Sequence, residues 1–110
     1  MDLEKDKRIR KEIRRLKKIL GKDNPKVAAC EHLIRNAAFM SVSLEDLQAQ
    51  INENGWTEEY KNGANQSGVK RSAAADCYTA TYRNYLATMK QLAEIAPEGT
   101  EIDALTAFNA

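Results

Sequence analysis

Apolar residues recur at helical spacing through most of this chain, and the pattern divides it into four helices and a tail. Ile9, Ile13, Leu16 and Leu20 follow one another at intervals of four, three and four, which predicts a helix over residues 3–20 with a narrow apolar stripe. Gly21 is placed to end it. Asn24 and Pro25 are a cap and a first-turn proline, and they open a second helix whose apolar face is Val27, Cys30, Leu33, Ile34, Ala37 and Met40. Glu31, His32, Arg35 and Asn36 take its other face. A third helix is predicted from Ser43 as N-cap, with Asp46 three residues on and Val42 and Leu47 as a hydrophobic staple. Leu44, Leu47 and Ile51 turn inward, and Asn54-Gly55 closes it. Residues 55–72 show no apolar period. Rich in Gly, Asn, Gln and Ser, they read as a polar loop, long for a compact domain. The fourth helix is predicted over 73–96, between the cap Ser72 and Pro97. Tyr78, Tyr82, Tyr85, Met89, Leu92 and Ala96 form a seam along it with coiled-coil-like intervals.

The fold class that follows is all-α and oligomer-forming. It has a basic N-terminal helix (1–22), a central helical pair (24–54), a polar loop (55–72) and a long helix (73–96) in one domain, 1–97, before a flexible tail, 98–110. With 110 residues the core is modest. The tyrosine seam reads first as core packing and second as a base-stacking platform. It is longer than three short helices can cover, so Tyr78, Tyr82, Tyr85, Met89 and Leu92 are expected to make subunit contact as well. In the tail, Ile102, Leu105 and Phe108 share one face of a short helix, which suggests a segment that folds on a partner, with docking back on the fourth helix or on a neighbouring subunit as the equal alternative.

Charge sharpens this picture. The first 26 residues hold eleven cations and five anions, a net of +6, and the other 84 hold six cations and eleven anions, a net of −5. The formal net charge of +1 conceals that polarity. On the helical wheel Lys7, Arg8, Arg10, Lys11, Arg14, Arg15, Lys17 and Lys18 lie opposite the apolar stripe, with Asp6 and Glu12 at its borders. Such a density of cations, with Lys22 just beyond, matches a nucleic-acid backbone. A merely solvated face is the plainer reading. Membrane-surface binding fits less well, since the stripe is narrow and lacks aromatic anchors. The second and third helices also invite a helix-turn-helix reading with Ser41-Val42-Ser43 as the turn. The third helix, however, carries Glu45, Asp46 and Glu53 and no Lys or Arg, so phosphates would repel it from the major groove.

Catalytic chemistry is not legible. His32 is the one histidine, and no serine or carboxylate is spaced to join it. Cys30 and His32, two apart on a helix, point to different faces and do not make a metal pair. Gly63–Gly68 lacks the lysine and the strand–loop–helix context of a phosphate cradle. Glu58 and Glu59 read as solvated. No cofactor, metal or catalytic residue is expected. Cys30 and Cys77 read as reduced core cysteines of a cytoplasmic protein, with a disulfide between them as the alternative. The longest uncharged stretch, residues 36–44, falls short of the roughly 20 residues of a membrane span. No secretory signal is read at the N-terminus.

The stretch INENGWTEEYKNGANQSGVKRSAAADCYTATYRNYLATMKQLAEIAP resembles the small terminase subunits of tailed phages and prophages. RIRKEIRRLKKIL and LIRNAAFMSVSLEDLQAQINENG upstream are similar to the same group, so the resemblance spans about residues 8–97. It rests on a Glu-Asn-Gly turn, a polar loop and a long helix closed by proline. The resemblance implies a non-catalytic DNA-packaging accessory protein of the bacterial host cytoplasm. Such subunits form rings, bind double-stranded viral DNA and deliver it to the large terminase subunit. By position, Lys7, Arg8, Arg10, Lys11, Arg14, Arg15, Lys17, Lys18 and Lys22 would contact DNA, and the tail with Ile102, Leu105 and Phe108 would meet the large subunit. Two departures stand out: Val69-Lys70-Arg71-Ser72 in place of an Asn-Pro-like lead-in to the last helix, and a very short C-terminal region. The rival readings are a prophage or bacterial regulator that binds DNA as a dimer, and a structural adaptor whose basic helix meets an acidic protein.

Overall fold

A computed structural model describes residues 2–97 and residue 100 of the chain. Four helices and a two-stranded antiparallel sheet follow in the order α1 (Leu3–Leu20), α2 (Pro25–Ala29), α3 (Glu31–Asn54), β1 (Thr57–Lys61), β2 (Ser67–Arg71) and α4 (Ala73–Ile95). The protein is therefore mostly helical but not all-α.

The ends of α1 and α4 fall where local chemistry puts them. Asp2 caps α1 by accepting from the Lys5 N–H, and Gly21 closes it with a backbone bond to Lys17 at φ 99°, a value that favours glycine. Ser72 caps α4 by accepting from the Ala75 N–H at 3.1 Å. Asn24 does three things at once. Its oxygen caps α2 at Lys26, and its Nδ2 donates to the Leu20 and Ile95 carbonyls at 3.1 and 2.9 Å. It thereby ties the C-terminal end of α1 to that of α4.

The middle of the chain corrects the sequence reading. No turn interrupts residues 41–43; α3 runs as one helix of 24 residues. The break comes earlier, at Cys30, whose φ −108° and ψ 21° bend the chain between α2 and α3. Ser41-Val42-Ser43 stays helical because its neighbours bury it. Ser41 and Val42 are buried, and Ser41 donates to Glu12 of α1 at 3.2 Å. The two short stripes of the sequence reading are one: Ile34, Ala37, Ser41, Leu44, Gln48 and Ile51 recur at three, four, three, four and three. Ser43 caps nothing, its hydroxyl buried without a hydrogen-bond partner among the described residues. The helix-turn-helix and the staple at Val42 and Leu47 fall with that turn.

With α3 that long, one helix serves as partner to both others. Ile13, Leu16 and Leu20 of α1 and Tyr85, Met89 and Leu92 of α4 close on Ile34, Ala37, Ala38 and Leu44 of α3. The small side chains of Ala37 and Ala38 let the helices approach. Each large apolar side chain buried this way contributes about 2 kcal/mol. Tyr85, Met89 and Leu92, expected in a subunit seam, are thus consumed in the chain's own core at 1%, 3% and 0% exposure. Tyr78 and Tyr82, also placed in that seam, are half-buried. They stack on each other at 5.9 Å, and Trp56 meets Tyr78 edge-on at 5.9 Å. Gln48 donates to the Tyr78 hydroxyl at 3.0 Å.

Residues 55–72 are a hairpin and not a loop. Thr57 pairs with Arg71, Glu59 with Val69 and Lys61 with Ser67. Asn62 donates its N–H to the Gln66 carbonyl at 2.6 Å across the turn, where Gly63 takes φ 80°. The strands show no apolar alternation because neither face is buried, so the usual signal has nothing to record.

Candidate nucleic-acid interface on the first helix

The nine cations assigned to DNA by the sequence do not share one environment. Three are engaged along the seam where α1 packs on α3. Arg8 forks between two carboxylates, donating to Asp46 at 2.7 Å and to Glu45 at 2.8 Å. The hydrogen bond to Asp46, then that to Glu45, raises the Arg8 pKa above its ordinary value. Arg15 pairs with Glu12, whose side chain is only 11% exposed. Lys17 donates to Glu31 at 2.9 Å, and Arg35 meets the same carboxylate at 3.1 Å. The Lys17 hydrogen bond, ahead of the opposing effect of burial, holds the Glu31 carboxyl below its ordinary range. Arg8 and Lys17 tie α1 to α3, and Arg15 pairs within α1 itself. A phosphate would have to displace a carboxylate to reach them.

The other six stand apart from that seam. Lys7, Arg10, Lys11, Arg14, Lys18 and Lys22 are all exposed. Lys7 makes one loose contact with Glu4 at 3.9 Å, between two well-exposed side chains. Arg10, Lys11, Arg14, Lys18 and Lys22 make no ion pair with the described residues. On a helix of 3.6 residues per turn, Lys7, Arg10, Lys11, Arg14 and Lys18 fall within an arc of roughly 100°. That arc is centred roughly 140° around the helix from Ile9, Ile13, Leu16 and Leu20, so packing leaves it in solvent. The ion-paired Arg8, Arg15 and Lys17 occupy its two flanks. Helical periodicity does not reveal which carboxylates α3 brings to Arg8 and Lys17 on the flanks.

Below this face lies a polar cluster that ties the three long helices together. The Tyr85 hydroxyl of α4 is hydrogen-bonded with Ser41 of α3, which donates to Glu12 of α1, which pairs with Arg15. Burial, reinforced by the Glu12 charge, pushes the Tyr85 pKa up to about 12. The cluster holds α1 in the orientation that presents the basic arc.

Elsewhere the residue types that carry chemistry stand apart. His32 is exposed on α3. Cys30 is half-buried and Cys77 exposed, both free thiols, which corrects their placement in the core. Among the described residues no three His, Cys, Asp or Glu side chains gather to hold a metal ion. No helix of the described residues is long and apolar enough to cross a membrane. Ile102, Leu105 and Phe108 of the expected partner-binding tail lie outside the described residues. Comparison with protein families, curated proteins and solved structures finds no match to this chain.

Proposed function

We propose that the chain is a non-catalytic DNA-binding protein acting as a small terminase subunit, one that recognises viral double-stranded DNA and delivers it to the large terminase motor in the bacterial host cell. The observation that carries the DNA-binding part is the outer arc of α1, where Arg10, Lys11, Arg14 and Lys18 are exposed and have no ion pair among the described residues. A face built only to be solvated gains by pairing its cations with acids one turn away. Here the acids on the flanks neutralise Arg8, Arg15 and Lys17 and leave the arc uncompensated. The arc suits phosphates, which supply affinity without reading bases. The packaging role rests on the likeness of residues 8–97 to small terminase subunits, and ring assembly belongs to that likeness.

Binding to a duplex followed by fluorescence anisotropy across a salt series tests the reading. Six cations on phosphates give a log–log slope of about −5. Charge reversal of Arg10, Arg14 and Lys18 to Glu abolishes binding while circular dichroism stays unchanged. If that variant binds as the parent does, the arc is not the interface. If the parent binds no duplex even at low salt but retains an acidic protein, the adaptor reading replaces this one. Co-purification with a large terminase subunit, and stimulation of its packaging, tests the delivery role separately.

A further inference from the structure

The hairpin β1-β2 stands exposed to solvent. Every residue of β1 and β2 is exposed except Gly68, over which the Tyr60 ring lies at 3.0 Å from the position a Cβ would take. A two-stranded hairpin with no covered face is marginal in water, and a third strand or a packed surface makes it stable.

Hydrogen-bond parity shows what each edge offers. Ser72 donates its N–H to the Trp56 carbonyl at 2.9 Å, and Asn62 donates to Gln66 at 2.6 Å. In an antiparallel ladder bonded pairs alternate, so the inner bonds belong to Glu58 with Lys70 and to Tyr60 with Gly68. The N–H and C=O groups of Thr57, Glu59 and Lys61 therefore point out of the β1 edge. Those of Ser67, Val69 and Arg71 point out of the β2 edge. The residue at the centre of the β1 edge is a charged one, Glu59. At the centre of the β2 edge is Val69, an apolar β-branched residue left 65% exposed.

We propose that the β2 edge is a self-association surface, on which β2 of a second copy pairs antiparallel about a twofold axis through Val69 to give a four-stranded sheet ordered β1-β2-β2-β1. The symmetry sets Val69 opposite Val69 of the second copy, Gly68 opposite Lys70 and Ser67 opposite Arg71. An apolar pair sits on the axis, and no like charges stand directly opposite. Gly68, with no side chain, sets no bulk against the partner's Lys70, whose ammonium meets Glu58 of its own β1 at 3.5 Å. The same operation on β1 sets Glu59 against Glu59, which repels, so charge blunts that edge. Antiparallel pairing also places the helices of the two copies at opposite ends of the sheet. The rival arrangement, β1 of one copy on β2 of the next, is heterologous, sets the Glu59 edge against the Val69 edge, and gives a ring where its rotation closes and a filament where it does not. A ladder of five residues is smaller than the roughly 1,200 Å² of a standard interface, so the contact is weak alone and is read by trapping it. Nothing in it depends on α1 or on DNA.

Site-directed disulfide trapping on the full chain, with Cys30 and Cys77 changed to Ser, tests the proposal. Directly opposed residues of a bonded pair have Cα atoms about 5.5 Å apart, within disulfide reach. Val69→Cys is expected to form a covalent dimer under mild oxidation several-fold faster than the exposed Glu59→Cys control. Ser67→Arg added to Val69→Cys faces the partner's Arg71 and slows trapping, whereas Ser67→Glu speeds it. Both changes sit on an exposed strand end, and circular dichroism checks the fold. Equal rates for Val69→Cys and Glu59→Cys overturn the proposal. So does a mixture of the two variants that traps mainly as the mixed dimer, or an insensitivity to charge at residue 67.

Discussion

Ser41 of α3 donates a hydrogen bond to Glu12 of α1 at 3.2 Å, and that contact joins the interior of the protein to its charged surface. Glu12 is an acid on the border of the basic helix, yet it is nearly enclosed and paired with Arg15. Ser41 is buried where a turn was expected and finds its partner on another helix. Tyr85 adds α4 to the same cluster. The orientation of α1, and with it the direction of the arc bearing Arg10, Arg14 and Lys18, depends on this junction.

The cluster gives stability a signature at high pH. The folded state keeps Tyr85 protonated up to about pH 12, while the unfolded chain releases the proton near 10. The contribution is complete below pH 10 and is lost as pH rises toward 12. Two pKa units correspond to about 3 kcal/mol. Tyr85→Phe should cost about 1 kcal/mol at neutral pH through the lost hydrogen bond. It should then lose less than the parent between pH 10 and 12 in urea melts. Parallel curves for the two proteins would show that Tyr85 is not coupled to folding.

Arg8 and Arg14 should separate stability from binding. Arg8→Ala breaks the fork to Asp46 and Glu45 and should cost about 1 kcal/mol of folding stability, with little change in duplex affinity. Arg14→Ala should leave the melting temperature alone, weaken duplex binding and lower the salt slope by about 1. Calorimetry and anisotropy on the same preparations decide the matter. A larger binding defect in Arg8→Ala would mean that Arg8 exchanges its carboxylates for phosphates.

Ser43 reports whether α3 is continuous in solution. A helix N-cap replaced by Ala loses about 1 kcal/mol. In a helix interior, with its hydroxyl buried and unpartnered, Ser43→Ala should instead be neutral or stabilising by about 0.5 kcal/mol, since alanine is the better helix former. A measured loss of stability would restore a helix start at this position.

The Lys17–Glu31 pair predicts an acid limb. Glu31 titrates below its ordinary 4.5 in the folded protein, so its contribution is complete above that value. It fades as the pH falls from there through the lowered folded pKa. Glu31→Gln should therefore flatten the acid side of the stability profile and remove part of its salt dependence. An unchanged acid limb would mean that the pair contributes nothing in solution.

Much of this protein was written locally. Asn24-Pro25, Gly21, Ser72 and Asn54-Gly55 are signals read within one turn of backbone, and the helix ends fall on them. The stripe Ile9–Leu20 and the seam Tyr78–Leu92 are periods a single helix displays by itself, and both proved to be packing faces. The polarity of charge and the choice of α1 as the basic element were equally plain.

What the sequence left open depended on groups far apart along the chain. Ser41-Val42-Ser43 carries local turn chemistry, but burial against α1 and α4 outweighs a preference of a few tenths of a kcal/mol per residue. The hairpin has no buried face, so no alternation announced it, and cross-strand pairing between residues up to 14 apart creates it. The seam of α4 ended in the chain's own core only because α3 is long enough to cover it. That Arg8 and Lys17 are helix ties rather than parts of the open basic arc was settled by Glu31, Glu45 and Asp46. Those acids come within reach of α1 only when the helices pack, because an ion pair depends on distance in space, which sequence position does not give.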